Sequence, residues 1–154
     1  MARRIGVVSD THGLVRPGLL EALSGVEMII HAGDIGGSDV LDVLRARAPV
    51  VAVRGNMDRG PWAHGLRESE VIEVDGSLLY VLHDAHELDL DPSAAGFRAV
   101  ISGHSHEPSL HRRKGVLFLN PGSAGPRRFR LPVSAAVLRL EGESLEAELI
   151  EIED

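Results

Sequence analysis

The feature that most constrains the fold is a series of short apolar segments, each of which ends in polar residues. The segments are 5–8, 26–32, 50–53, 78–82 and 99–101. All are mostly aliphatic and are bounded by Gly, Pro, Asp or Asn, which favours strands buried on both faces over helices. The sequence therefore predicts a core built on buried β-strands.

Helical patterns separate the first three segments. Pro17 can open one helix at its first turn, and Ser38 can cap a second helix that ends before Pro49. The first third thus has the order β-α-β-α-β, which predicts parallel strands joined by right-handed crossovers.

The remainder of the chain has the pattern of hairpins. Apolar segments flank the turn sequences Asp75-Gly76, Lys114-Gly115 and Glu141-Gly142-Glu143, and such turns join antiparallel strands. The predicted strand pairs are 71–74 with 78–82, 110–112 with 116–119, and 133–140 with 145–152. We expect one α/β domain over residues 1–154, with two packed sheets, helices outside, and a first sheet that begins parallel.

Composition limits the chemistry that is available. The chain has 154 residues and no cysteine, which suits one domain and excludes disulfides, thiolate metal sites and cysteine nucleophiles. The net charge of -7 argues against stable binding to a nucleic-acid backbone.

The apolar stretch before Ser9 is too short for a signal peptide, and no run approaches membrane-spanning length. We expect a cytoplasmic protein without membrane association.

The polar residues at the segment ends are the most informative feature for function. In chain order they are Asp10 and His12, then Asp34, Asn56 and His83, then His104 and His106. The carboxyl ends of strands in an open α/β sheet form the binding crevice, so we expect these seven side chains to meet.

Their chemistry indicates a metal site. Carboxylate, amide oxygen and imidazole bind borderline divalent ions such as Mn, Fe, Co, Ni or Zn. Seven groups exceed the needs of one tetrahedral ion and suit two ions that share a carboxylate. Gly33, Gly55 and Gly103 each precede a proposed ligand, where glycine permits a sharp turn and close backbone approach to the ions or substrate.

Each fragment by itself has a simpler explanation. Asp10-x-His12 could be a capping pair, Gly33-Asp34 a plain loop, and Asn56 a common turn residue. That explanation would require five coincidences at five segment ends. The set as a whole therefore favours a metal centre.

Taken together, these residues resemble the calcineurin-like metallophosphoesterases, and in particular their small YfcE-like phosphodiesterase branch. The resemblance runs from residue 5 to about residue 123. The matching motifs are Asp10-x-His12, Gly33-Asp34, Gly55-Asn56-x-Asp58, Gly103-His104-x-His106 and Asn120-Pro121-Gly122-Ser123.

The resemblance implies an αββα sandwich that binds two divalent metal ions, with Mn expected first. Asp10, His12 and His106 would hold one ion, Asn56, His83 and His104 the other, and Asp34 would bridge both. A hydroxide shared by the ions, supported by Asp34, Asn56 and His83, would attack a small phosphodiester substrate. Asp58 and Asp84 are candidates to orient ligand imidazoles, the alternative being solvent-exposed turn carboxylates.

The sequence departs from the family at two points. Met57 stands where many relatives have His or Cys, and a thioether cannot protonate a leaving group. This predicts a preference for leaving groups, such as aryl alcohols, that depart unaided. The family pattern around the fourth ligand is replaced by His83-Asp84-Ala85-His86, which leaves His83 as the expected ligand and His86 as the alternative. His86, His31 and Arg54 are candidates to supply the missing proton or positive charge.

Residues outside the motifs have simpler explanations. Trp62 could contact substrate or cover the core, and the core role is favoured. Arg127, Arg128 and Arg130 could guide an anionic substrate, although a solvated charge run is the simpler explanation.

The main alternative function is a non-catalytic metal-binding scaffold of the same fold, since the family includes a retromer subunit that works through protein contacts. All seven ligand positions hold competent residues, which favours the enzyme. Phosphomonoesterase or nuclease activity by the same chemistry is a further alternative. Small domains of this kind leave hydrophobic sheet faces, so a homo-oligomer is a plausible assembly.

Overall fold

Two five-stranded sheets pack face to face in the computed structural model, which describes residues 2–152. The strands of the first sheet are β1 (Arg3–Val8), β2 (Met28–His31), β3 (Val50–Ala52), β9 (Ser134–Glu141) and β10 (Ser144–Glu151). Those of the second are β4 (Ser69–Val74), β5 (Ser77–Leu82), β6 (Phe97–Ile101), β7 (Ser109–Arg113) and β8 (Val116–Asn120). The helices are α1 (Pro17–Ala22) and α2 (Ser38–Arg45).

The first sheet, ordered β10-β9-β1-β2-β3, begins parallel as predicted. β1, β2 and β3 pair in parallel, and the β9–β10 hairpin adds antiparallel to β1. The segment predicted over 26–32 is shorter in the structure, because Val26 still belongs to the turn after α1, where its N–H donates to Leu23 O.

The second sheet, ordered β4-β5-β6-β8-β7, has a parallel centre that the hairpin pattern did not predict. β4–β5 and β7–β8 are the expected antiparallel hairpins, whereas β5–β6 and β6–β8 pair in parallel. Because parallel strands end at one edge of a sheet, the segments after β5 and β6 emerge side by side.

The core lies between the sheets, where alternate residues of both meet. A second apolar layer joins α1 and α2 to the opposite face of the first sheet. The expected α/β sandwich is therefore confirmed. Within residues 2–152 the outer face of the second sheet has no α-helix, and Tyr80, Leu88 and Phe118 cover a small apolar cluster there.

Local features of the helices follow the sequence only in part. Pro17 opens α1 as predicted. The prediction that Ser38 caps α2 is wrong, because Gly37 occupies the capping position and Ser38 is the first helical residue. No helix of the described chain is long and apolar enough to cross a membrane.

Candidate metal centre

Seven side chains gather at one end of the sandwich, where the segments after β1, β2, β3, β5 and β6 converge. A cavity of about 380 Å³ is lined by five of them, and a second of the same volume is lined by His83 together with Asn56 and His104. The five are His12, Asp34, Asn56, His104 and His106. Asp10 lies beneath them and is fully buried.

Two carboxylates lie within 4 Å of histidines of the centre. Asp10 Oδ1 lies 3.5 Å from His106 Nε2, 3.8 Å from His12 Nε2 and 3.9 Å from His83 Nε2. Asp34 Oδ2 lies 3.3 Å from His83 Nε2 and 3.8 Å from His12 Nε2. Two three-residue sets have the spacing of cation ligands: Asp10, His12 and His106; and Asp10, Asp34 and His83.

The remaining two groups complete the wall of the centre. His104 Nδ1 lies 3.3 Å from His83 Nε2, so this nitrogen faces the other ligands. Asn56 lines both cavities and is solvent-exposed. All seven residues suggested by the sequence are thus brought to one place.

An orphaned oxygen shows that this donor set fits a cation. Asp10 Oδ2 accepts hydrogen bonds from Ser9 Oγ at 2.7 Å and from the His104 N–H at 3.1 Å. Asp10 Oδ1 is buried and has no hydrogen-bond partner within residues 2–152. A buried carboxylate oxygen without a partner is costly, and a divalent ion among the three surrounding imidazoles would satisfy it.

The backbone orients His83 and Asp34. The Nδ1–H of His83 donates to Ala32 O at 2.8 Å, which leaves Nε2 free as a ligand atom. Burial would lower the pKa of His83, but its contacts with Asp34 and Ala32 O outweigh burial and raise that pKa above its ordinary value. Burial would likewise raise the pKa of Asp34, but His83 and the Met57 N–H at 2.9 Å hold it below the ordinary value.

His106 stands in a different electrostatic setting. Burial lowers its pKa, and Asp10 acts against that effect. The charges of His12 and Arg128 lower the pKa further. A neutral His106 is the form that binds a metal ion.

Close packing of the ligand loops explains two of the glycines. A Cβ added at Gly55 would lie 2.2 Å from Asp34 N, and one at Gly103 would lie 1.9 Å from Ser9 Oγ. No side chain fits at such distances. At both positions the backbone packs closely against a neighbouring ligand loop, and the predicted approach to ions or substrate stays a prediction.

Backbone strain is concentrated in the same place. Five of the seven proposed ligands have positive φ, a conformation that is uncommon for residues other than glycine. Their φ values are 56° for Asp10, 47° for His12, 56° for Asp34, 73° for His104 and 64° for His106.

Asp58 supports the centre through the backbone. Its Oδ1 accepts from the N–H groups of Ile35 at 2.8 Å and Gly36 at 3.1 Å, and its Oδ2 accepts from the Gly55 N–H at 2.9 Å. The alternative of a solvent-exposed turn carboxylate is wrong, since Asp58 is only 4% exposed. Asp58 joins the loop of Asp34 to the loop of Asn56 and binds amides, where an imidazole partner was expected.

Asp84 lies nearer to an imidazole. Its Oδ2 is 3.8 Å from His104 Nε2, on the side of the ring away from His83. Its Oδ1 accepts from the backbone N–H of His86 and lies 3.2 Å from His86 Nδ1.

The three candidates for a compensating proton or charge lie in unsuitable places. His31 is fully buried and lines neither cavity, and burial lowers its pKa to about 3, so its ring is neutral near pH 7. The side chain of His86 is 97% exposed and faces solvent. Arg54 lines one cavity but is paired with Glu68 at 3.2 Å.

Sequence reasoning missed several supporting residues. Asn120 Nδ2 donates to Gly103 O at 3.0 Å, and Ser123 Oγ donates to Asp10 O at 3.0 Å. The 120–123 segment, which the sequence analysis identified only as a motif shared with the family, therefore holds two ligand loops. Trp62 packs against the helical apolar layer, as the favoured interpretation held.

The chain is similar to known proteins in sequence and in fold. Residues 4–143 match the family described as the calcineurin-like phosphoesterase superfamily domain. A probable metallophosphoesterase of Methanothermobacter thermautotrophicus is 36% identical, over 95% of this chain and 91% of that protein. In fold, the chain is similar to vacuolar protein sorting 29 of Cryptosporidium parvum, with a TM-score of 0.85, 17% identity, and coverage of 99% of this chain and 93% of that chain. It is also similar to an archaeal phosphodiesterase, with a TM-score of 0.78, 23% identity, and coverage of 96% and 99%. The chain therefore belongs to the calcineurin-like phosphoesterase superfamily.

Proposed function

We propose that the protein is a metal-dependent phosphodiesterase whose seven clustered ligands hold two divalent ions, with Mn the first ion to test. The single observation that carries the proposal is the buried, unpartnered Asp10 Oδ1, which faces His12, His83 and His106. A structural domain has no need of such an arrangement, since it costs stability until a cation is bound.

Bound at this centre, a pair of divalent ions would lower the pKa of water toward ~7 and neutralise phosphate oxygens. The chain's own contribution is orientation. Ala32 O fixes the tautomer of His83, and the Met57 N–H fixes the carboxylate of Asp34. Both groups are held before substrate arrives, as preorganised catalysis requires.

Met57 determines which leaving groups we expect. Its side chain is 60% exposed and lines the cavity beside Asn56. A thioether has no proton to give, and His31 cannot replace it. Substrates with weakly basic leaving groups should therefore be favoured.

Purified protein with Mn²⁺ and bis(p-nitrophenyl) phosphate tests the proposal directly. We expect hydrolysis that is lost on chelation, restored by Mn²⁺, and absent in Asp10→Asn. A series of methyl aryl phosphates should give rates that fall steeply as the leaving-group pKa rises. A rate that does not depend on the leaving group would contradict the role assigned to Met57, and inactivity throughout the series would contradict the enzyme.

A scaffold is the second candidate, because the overall fold is similar to a protein named for vacuolar sorting. A scaffold would bind metal without turnover. Metal content, measured by elemental analysis alongside hydrolysis, separates the two functions: metal-loaded protein that hydrolyses no phosphodiester would favour the scaffold.

A further inference from the structure

The loop over residues 126–131 borders the metal centre and has no role in the reaction so far described. Arg127 and Arg128 line the same cavity as Met57 and His106. We call it the basic cavity. Within residues 2–152 no hydrogen bond or ion pair engages the Arg128 side chain, which leaves it available to an anion.

The loop is anchored to the ligand segments at its start. A Cβ added at Gly125 would lie 2.2 Å from Thr11 O, between two proposed ligands in the chain. Arg16 Nε–H donates to Gly125 O at 3.2 Å. The loop is thus placed at a fixed position beside the centre.

The cavity on the other side of Asn56 and His104 has the opposite charge. Its lining includes four carboxylates and one arginine, which is paired with a glutamate. We call it the acidic cavity. The carboxylates are Glu68, Asp84, Glu87 and Asp89. An anionic portion of a substrate is therefore repelled from the acidic cavity and attracted to the basic one.

Among residues 2–152, and apart from the proposed ligands, the basic cavity also has no side chain that could act as a general acid. Apart from the proposed ligands, it is lined by Met57, Pro126, Arg127 and Arg128. Arginine stabilises an anion but does not release its proton in proteins. A leaving group in this cavity must therefore depart as a stable anion.

An exposed aromatic residue stands at the tip of the loop. Phe129 is 88% exposed and has a φ of 54°. The Leu131 N–H donates to Arg128 O at 3.0 Å, so Phe129 occupies the first central position of a tight turn, where glycine is usual when φ is positive.

The positive φ of Phe129 differs from the others in its location. Of the eight non-glycine residues with positive φ in residues 2–152, five are proposed ligands, and Asp75 and Lys114 precede glycines in hairpin turns. Phe129 is the eighth. Backbone strain of this kind accumulates at functional sites, and exposed aromatic rings in basic surroundings are the groups on which proteins stack bases.

We propose that loop 126–131 selects substrates whose leaving group is a nucleotide, that is, esters of nucleoside diphosphates. This inference rests on the proposed phosphodiesterase function and narrows it. Arg127 and Arg128 would take the departing phosphate, Phe129 would stack on the base, and the alcohol portion would lie in the acidic cavity, which suits hydroxyl-rich or cationic groups. The net charge of -7 disfavours long nucleic acids and leaves short nucleotides as ligands.

The reaction balances with water alone. The oxygen of water forms a bond to the phosphorus distal to the nucleoside, and the bond from that phosphorus to the bridging oxygen breaks. The nucleoside monophosphate leaves with the bridging oxygen, and the proton of water is released to solvent. A phosphate leaving group needs no general acid. This agrees with the presence of Met57, whose thioether cannot donate a proton.

ADP-glucose in ¹⁸O-labelled water, with Mn²⁺-loaded protein, tests the direction of cleavage. We expect AMP and glucose 1-phosphate, with the label in glucose 1-phosphate. Label in AMP would show that the nucleotide is not the leaving group and would overturn the inference. The inference would also be overturned if the protein cleaved bis(p-nitrophenyl) phosphate but not ADP-glucose. The proposed phosphodiesterase function would then stand, and only the role of the loop would be wrong.

Binding of AMP, measured by calorimetry with and without Mn²⁺, gives a readout that does not depend on turnover. Arg128→Ala and Phe129→Gly should each weaken binding about tenfold, and Phe129→Trp should retain it. Phe129→Gly relieves the positive φ, so loss of binding in a protein of unchanged or higher Tm is not loss of folding. Arg47→Ala and Val71→Ala are exposed controls. If neither loop variant weakens AMP binding, the inference fails, even in a protein that hydrolyses phosphodiesters.

Discussion

The proposed ligands form two groups that differ in burial, which we call the floor and the rim of the centre. The floor consists of Asp10, Asp34, His83 and His106, none more than 6% exposed. The rim consists of His12, Asn56 and His104, with side-chain exposures of 30% for His12 and 45% for His104. Each ion implied by the family resemblance would draw on both groups.

The difference in burial indicates that floor and rim ligands contribute differently to metal binding. Floor residues follow buried strands, and most are held by neighbours: Asp10 by Ser9, Asp34 by the Met57 N–H, and His83 by Ala32 O. Water can replace a rim ligand but cannot easily reach the floor. The floor should therefore decide whether metal binds, and the rim should adjust affinity and access.

The largest expected effect separates floor from rim by activity. Asp34→Ala should lower kcat/KM by on the order of a thousandfold, since it removes the several kcal/mol that metal ions supply, at about 1.4 kcal/mol per factor of ten. Asn56→Ala should lower it by only about tenfold, because solvent can occupy a rim position. Steady-state hydrolysis of bis(p-nitrophenyl) phosphate measures both. Similar losses in the two variants would remove the distinction between floor and rim.

Thermal unfolding with and without metal gives the next largest effect. Free Mn²⁺ at a hundred times its Kd should stabilise the protein by about 2.7 kcal/mol, because the cation satisfies Asp10 Oδ1. Asp10→Asn should lose most of that gain, and Asn56→Ala should keep the larger part. Calorimetric Tm shifts on titrating Mn²⁺ measure both. An equal metal-induced shift in wild type and Asp10→Asn would show that the orphaned oxygen does not face the ion.

Asp58→Asn probes the support beneath both groups. It weakens the acceptors of three backbone N–H groups, so we expect a loss of about 1–3 kcal/mol in the free energy of unfolding and a 10–100-fold loss of metal affinity or activity. Urea unfolding and metal titration test this. Asp42→Asn, at an exposed position on α2, is the matched control. Unchanged metal affinity would limit Asp58 to a structural role.

The sequence could predict features that depend on neighbouring residues, and it missed features that depend on residues far apart in the chain. Strand ends and ligand chemistry are local patterns, so the seven clustered residues could be found from segments of a few residues. Asp58 could not be interpreted in the same way, because its partner Ile35 lies 23 positions away and offers only a backbone N–H. The parallel pairing of β5, β6 and β8 was missed for the same reason, since hairpin signals describe neighbours in sequence and not strands that meet across a sheet.

The last prediction concerns His31, which lies under the floor and joins two ligand loops. Thr11 Oγ1 donates to Ile35 O at 2.8 Å and therefore accepts from His31 Nε2–H at 2.9 Å, while His31 Nδ1 accepts from the Gly33 N–H at 3.1 Å. The ring is thus held neutral, because a proton on Nδ1 would face another donor. Burial first, and the charge of His83 next, lower its pKa to about 3 from an ordinary 6.5.

The sign of the resulting pH dependence follows from proton uptake. Below pH 6.5 the unfolded chain binds a proton at His31 that the folded chain excludes, so the stability present above pH 6.5 falls as the pH approaches about 3. The slope from this residue should be about 1.4 kcal/mol per pH unit. Urea unfolding of the metal-free protein between roughly pH 6.5 and 4.5 measures it against His31→Asn, which does not titrate. The variant should be less stable at neutral pH, because it loses part of the network, and should show a shallower acid slope. Parallel slopes in the two proteins would mean that His31 is protonated in the folded state, and the hydrogen-bond pattern that ties the Thr11 and Gly33 loops together would then have to be different.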